Sequence, residues 1–203
     1  MEASIAAPRK LEGDKAQRII AAMRASVAAR GTAGSTFDQV AREAGVSRGL
    51  LHYYFGSKER LLVEVVRQDC DARIQAMDER LAGAGNVDEV MQALVVGLVE
   101  FIGEPSSQAL VYEMLSASRR SEELRAELAE LYRRWRSHMA AALREKEREG
   151  VVTLRSDAEA VASMLLSLGD GFGIQVISDP DWNRDTAFEL GVQLAREMLG
   201  ATA

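Results

Sequence analysis

The sequence predicts an all-α protein of about nine helices, a small N-terminal three-helix unit followed by a larger helical body. Three observations carry this expectation. Apolar residues recur at spacings of three and four through most of the chain, the period of a helix with one buried face. Capping residues stand where these runs begin, and Gly or Pro stands near where they end. The composition is rich in Ala, Leu, Glu and Arg and includes just three prolines, so little of the chain is barred from helix and no segment requires a strand.

In chain order, residues 1–12, with Pro8, Arg9 and Lys10, are expected to form a mobile arm. An amphipathic helix follows from about Asp14 to Arg30, with Ile19, Ile20, Met23 and Val27 on its apolar face. Thr36 and Gln39 then form a capping box for a helix carrying Phe37, Val40, Ala41 and Ala44. Gly45 can take the left-handed conformation that ends this helix, Val46 is an apolar anchor, and Ser47 caps a second helix turned sharply from the first. A helix-turn-helix uses this arrangement.

At about 100° per residue, Leu51 and Phe55 fall on one side of the second helix, while Gly49, Leu50 and Tyr53 fall on the other, flanked by His52 and Tyr54. The first side is core. The second, a leucine, a glycine and rings, suits a groove better than a merely solvated surface. Arg48, in the first turn, can make a bidentate contact to guanine O6 and N7, Leu50 can touch a thymine methyl, and Gly49 lets the backbone approach closely. The polar atoms of the rings and Lys58, one residue past the cap Ser57, suit phosphates. The expected partner is therefore double-stranded operator DNA, contacted by Thr36, Ser47, Arg48, Gly49, Leu50, His52, Tyr53, Tyr54 and Lys58. The reader is expected to span residues 13–58 and the body residues 59–203.

In the body, a helix from Ser57 to about Leu81 places Leu61, Leu62, Val65, Val66, Ile74 and Met77 at its apolar positions and ends in AGAGN. Asn86 and Glu89 box a helix through Val90, Leu94, Leu98 and Ile102, and Pro105 starts another with Leu110, Val111, Met114 and Leu115. From Ser121 to Glu149 a single long helix repeats Leu124, Leu128, Leu131, Trp135, Met139 and Leu143 against a charged opposite face. GVVTLRSD breaks it. Ser156 and Glu159 are expected to box the helix Ala158–Ser178, and DPDWN separates that from a last helix, Trp182–Leu199.

The run LSLGDGFGIQV sets Gly169, Gly171 and Gly173 within a helix, where each glycine costs about 0.5 to 1 kcal/mol against alanine, so a close helix approach is expected to offset them. With Leu165, Leu168, Phe172, Val176, Phe188, Gly191, Leu194 and Ala195, this predicts a four-helix homodimer interface across a two-fold axis. The alternative is packing within one chain. For a small-molecule effector, the candidate cavity-lining residues are Phe101, Tyr112, Met114, Trp135, His138, Met139 and Met164, of which His138, one turn beyond Trp135, can orient a polar ligand.

Composition narrows the function classes. At 203 residues the chain can bury a real core in one or two compact units. No run approaches the roughly 18 apolar residues of a membrane span, and the N-terminus lacks a signal peptide's apolar core, so a cytoplasmic location without membrane is expected. Cys70 is the only cysteine, which excludes an intrachain disulfide and a Cys-rich metal site; no metal or cofactor is expected. An oxidant-sensing role for Cys70 or a pH-sensing one for His52 is left open. The net charge of −6 is segregated: residues 1–66 hold ten Lys/Arg against seven Asp/Glu, leaving 15 against 24 in the remainder. A mildly basic front thus precedes an acidic rear.

The run VSRGLLHYYFGSKERLL, with TFDQVAREAG before it, resembles the DNA-binding domain of the tetracycline-repressor (TetR) family of bacterial transcriptional regulators. Where that family most often has a tyrosine directly after the leucine, this chain has His52. LGDGFGIQVISDPDW resembles the C-terminal domains of choline- and betaine-type repressors. The resemblance implies a dimer interface in the last two helices, a ligand pocket in the body, and a repressor released from a palindromic operator by a small molecule. Two other readings stand beside it, a dimeric helical protein-interaction module and an enzyme using the body pocket. The enzyme reading has little to draw on, with two histidines, one cysteine and no H-E-x-x-H spacing.

Overall fold

A computed structural model describes residues 14–200. The expected arm at 1–12 lies outside the described residues. Among them the chain forms nine helices and no strand: α1 (Asp14–Gly34), α2 (Phe37–Ala44), α3 (Arg48–Phe55), α4 (Lys58–Ala82), α5 (Val87–Gly103), α6 (Pro105–Ser118), α7 (Glu122–Arg148), α8 (Ala158–Ser178) and α9 (Asp185–Met198).

The helix ends follow capping chemistry, with three differences from expectation. α1 continues past Arg30 to Gly34 through a kink at Gly31, whose φ of 68° leaves the helical region. Asp157, not Ser156, caps α8, because its carboxylate accepts the Glu159 N–H. The last helix begins at Asp185 rather than Trp182, after Asn183 Oδ1 accepts the Asp185 N–H. At α5 the expected cap holds: Asn86 Oδ1 accepts the Glu89 N–H at 3.0 Å, while the Glu89 carboxylate reaches back to the Gly85 N–H at 2.7 Å.

The chain resolves into two compact units that are not contiguous in sequence. The first comprises residues up to Asp69 together with Pro105–Leu128. The second comprises Cys70–Glu104 and Ala129–Ala203. This differs from a reader of 13–58 followed by one body. α6 packs along α1, with Glu113 of α6 accepting the Thr32 N–H at 3.1 Å and the Thr32 O–H at 2.6 Å. Such a long-range pairing leaves no mark in local periodicity.

In the first unit Ile19, Ile20, Met23 and Val27 of α1 are buried with Phe37, Val40, Leu51, Phe55, Leu61, Leu62 and Val65. Fully burying one such side chain contributes about 1.5–3 kcal/mol, so this apolar set packs α2 and α3, of 8 residues each and too short to persist alone, against α1 and the start of α4. The Arg24–Asp69 and Arg30–Glu43 ion pairs lie at its surface.

The second unit is centred on Met77, Leu81, Val90, Met91, Met139, Leu143, Val161, Ala162, Ala195 and Leu199, with Trp135 and Leu165 packed against them. Two calls on the interface change here. Ala195 is buried within the chain's own core, and Gly169 is already approached by Leu98 of α5, whose Cδ1 lies 3.3 Å from where a Cβ would stand. Gly171 and Gly191 have nothing within 4 Å of that position. At the C-terminal end of α9, Thr153 N–H and Arg155 N–H donate to the Leu199 and Met198 carbonyls, and Gly200, at φ 84°, lies directly against the Thr153 carbonyl. By length and composition alone α8 could cross a bilayer, a test that the core helix of a folded domain passes equally, so this one helix does not overturn the expectation of no membrane.

Candidate nucleic-acid interface

The α2–turn–α3 motif is built as its residue types dictate. Thr36 Oγ1 accepts the Gln39 N–H at 3.3 Å, which starts α2. Gly45, at φ 66° and ψ 38°, ends it, with Gly45 N–H and Val46 N–H donating back to the Arg42 and Ala41 carbonyls in a Schellman turn. Ser47 Oγ then accepts the Leu50 N–H at 3.2 Å and starts α3. Thr36 and Ser47 use their oxygens as acceptors here, which leaves each hydroxyl hydrogen able to donate to a phosphate.

Helix α3 buries Leu51 and Phe55 and turns Gly49 and Tyr53 outward, with Tyr53 62% exposed. Leu50 and Tyr54 are half-buried, and the Tyr53 and Tyr54 rings meet edge to face at 5.0 Å. A Cβ on Gly49 would meet only Ser47 Oγ at 4.0 Å, so nothing in the chain blocks a close approach of the helix backbone to a ligand.

The polar residues of this face are held by partners that the sequence did not single out. Arg48 Nη1 donates to both carboxylate oxygens of Asp38, at 3.1 and 3.3 Å, and Arg48 Nε donates to His52 Nε2 at 3.3 Å. His52 Nδ1 lies 3.3 Å from the Gly56 carbonyl, and its ring packs edge-on against Phe37 at 4.8 Å. Because Arg48 can only donate, Nε2 is the acceptor and Nδ1 carries the proton. Both ring nitrogens thus have partners within the chain, while the ring itself stays exposed on the face where the sequence expects a DNA contact. Lys58 Nζ donates to the Thr32 carbonyl at 2.6 Å, and Ser57 Oγ caps α4 by accepting the Arg60 N–H at 3.2 Å. Thr32 is consequently a junction, bonded to Lys58 of α4 through its carbonyl and to Glu113 of α6 through its N–H and hydroxyl.

The pocket candidates are dispersed. Tyr112 and Met114 belong to the first unit, where Met114 is buried core. The others lie in the second: the Arg73 guanidinium covers the Phe101 ring at 4.7 Å, Met139 is core, and Met164 is exposed. His138 Nε2 donates to Asp78 Oδ1 at 2.7 Å. Sequence reading missed Asp170, on α8, whose Oδ2 accepts the Tyr132 hydroxyl at 2.9 Å. Burial pushes this carboxyl above its ordinary value, and the hydrogen bond only partly opposes that. An aspartate inside an apolar helix was the available signal. Cys70 is buried, and no cluster of metal-ligating side chains occurs among the described residues.

Comparison with known proteins decides what kind of reader this is. Residues 19–65 match the model described as bacterial regulatory proteins, tetR family, and residues 87–202 match the BetI-type transcriptional repressor C-terminal model. The chain belongs to the TetR family. It is 32% identical to the HTH-type transcriptional regulator BetI of Rhizobium meliloti over 72% of this chain and 70% of that protein. It is 31% identical to BetI of Agrobacterium fabrum over 81% of this chain and 88% of that protein. Among solved structures, the transcriptional regulator FadR of Bacillus subtilis, determined in complex with stearoyl-CoA, shares the fold with a TM-score of 0.73 at 18% identity, covering 92% of this chain and 99% of that one. This TetR-family chain is therefore a helix-turn-helix DNA-binding transcriptional regulator.

Proposed function

We propose that this regulator is a cytoplasmic homodimeric repressor that reads a near-palindromic operator through α3 and leaves it when a small molecule binds the body. The observation that carries the reading is the outward face of α3, where Arg48, Gly49, Leu50 and Tyr53 stand over the buried Leu51 and Phe55. Arg48 and Leu50 specify bases, while Thr36, Ser47, Tyr53, Tyr54 and Lys58 take phosphates. To grip a phosphate, Lys58 gives up the Thr32 carbonyl. Since Thr32 also bonds Glu113 of α6, a displacement of α6 alters the grip of Lys58, and a ligand that prefers one position of α6 shifts the population between bound and free states.

Dimerisation is supported by the apolar surface of the last two helices. Met164, Ile174 and Ile177 of α8 and Leu190 and Leu194 of α9 are exposed, while Phe172 gathers Trp182 at 5.3 Å and Phe188 at 5.5 Å between ring centroids. The Bacillus subtilis regulator with stearoyl-CoA bound supports a ligand-responsive body in this fold. Selection of bound DNA from a random pool tests the proposal. It should return an inverted repeat whose binding survives competition by nonspecific DNA and weakens with salt; equal binding to all sequences would refute it.

A further inference from the structure

We propose that His52 is a positioning residue that, together with Asp38, sets the guanidinium of Arg48 for guanine readout. The inference rests on the reading of Arg48 as a base contact. An arginine in the first turn of a recognition helix has four flexible torsions, and ordering it on binding costs side-chain entropy. Here the ordering precedes DNA. Nε is engaged by His52 Nε2 and Nη1 by both oxygens of Asp38, so neighbours on α3 and α2 hold the guanidinium from two directions. Among the described residues Nη2 has no partner, and its two hydrogens, unlike the Nε–H, are available to a base edge.

The geometry also says how Arg48 approaches. A side-on contact to guanine would need the Nε–H, which His52 accepts, and Nη1 is held by Asp38, so the approach left open to a guanine edge is through the two Nη2 hydrogens. His52 can serve as an acceptor only in the tautomer with its proton on Nδ1, and the Gly56 carbonyl fixes that tautomer. Gly56, at φ 71° and ψ −51°, is also the residue whose N–H returns to the His52 carbonyl at 3.0 Å, so the turn that ends α3 orients both the ring and its proton. A tyrosine at this position would present a hydroxyl farther out and could not reproduce an acceptor at Nε2. The charged groups recorded against His52 are Arg48 on its own helix and, through Arg48, Asp38 on α2; the Phe37 ring covers its edge.

The test is base-resolved selection on one random DNA pool with the full chain and three variants, each checked for its thermal midpoint. His52→Phe keeps the ring and its contact with Phe37 but has no acceptor. His52→Gln supplies an amide oxygen near the position of Nε2. Arg48→Ala removes the reader. The expected result is that Arg48→Ala erases one guanine preference in each half-site, that His52→Phe weakens that same preference by roughly three- to tenfold, the worth of one exposed hydrogen bond, and that His52→Gln restores it in part. Unchanged guanine preference in His52→Phe, with its loss in Arg48→Ala, would overturn the positioning role and leave Arg48 as the reader. A uniform loss at every base in His52→Phe that His52→Gln does not relieve would also overturn it, as a structural effect. If folded Arg48→Ala keeps every preference, the reading of Arg48 fails and this inference fails with it.

Discussion

Helix α3 and helix α8 solve opposite problems with their exposed faces. In α3 the apolar residues that matter for folding, Leu51 and Phe55, are buried within the chain, and the polar residues of its outer face are tied to neighbours on α2 and at Gly56. In α8, 21 residues long, Met164, Ile174 and Ile177 remain exposed while Ala158, Val161, Ala162 and Gly173 are buried. One helix is finished by its own chain and waits for a polar, sequence-bearing partner. The other exposes apolar surface that its own chain leaves uncovered, which a second copy can bury. Together these faces fit the proposed homodimer, in which two copies bind one operator.

The largest expected effect breaks the second half of that comparison. Replacing Leu190 and Leu194 of α9 together with lysine sets like charges on an apolar face, and sedimentation should report a monomer that has lost operator binding while keeping its helical content. A variant that remains dimeric would place the interface elsewhere. Next in size is Gly200→Ala, a change within one chain: the positive φ and the overlap of a Cβ with the Thr153 carbonyl should cost about 2–4 kcal/mol in denaturant unfolding. Unfolding unchanged from wild type would show that the 153–155 segment does not anchor the end of α9.

The first half of the comparison is broken by Arg48→Ala. Loss of one bidentate base contact should weaken operator binding by about 1–3 kcal/mol with the dimer mass unchanged, as read by titration of labelled operator. Equal losses on operator and random DNA would make Arg48 a phosphate contact instead. The smallest effect concerns Asp170. Its carboxyl is raised in the folded state, so the folded chain binds this proton more tightly than the unfolded one; the stability it confers is present below the ordinary carboxyl value and is lost as pH rises through the raised one. Asp170→Asn, which keeps an acceptor for the Tyr132 hydroxyl, should therefore melt higher than wild type at pH 7, and the difference should shrink as pH falls toward 4. A variant that melts lower at pH 7 would show that the charged carboxylate is stabilising.

How much of this was legible in the sequence depends on range. The faces of α3, the caps Thr36, Ser47 and Asn86 and the left-handed Gly45 rest on residues within five positions of one another, and each follows from local chemistry. What stayed hidden joins distant residues. Asp38 lies ten positions from Arg48, Glu113 lies 81 from Thr32 and Asp170 lies 38 from Tyr132, and no periodicity signals such pairs. The grouping of α6 with α1 was hidden for the same reason. The glycines of α8 and α9 gave a mixed lesson: their presence called for close approach, but Gly169 finds it against Leu98 in the same chain, while Gly171 of α8 and Gly191 of α9 stay open. The contacts of His138 with Asp78 and of Phe101 with Arg73 were hidden in the same way, because a pattern of residue types does not reveal distant partners.

Hydroxyl-radical footprinting of the protein on its selected operator tests the central claim most directly, because it reads both exposed faces at once. Two protected half-sites related by a dyad, with centres about 34–36 Å apart or a multiple of that spacing, are the predicted result. A single protected half-site, or protection spread evenly along the DNA, would contradict it.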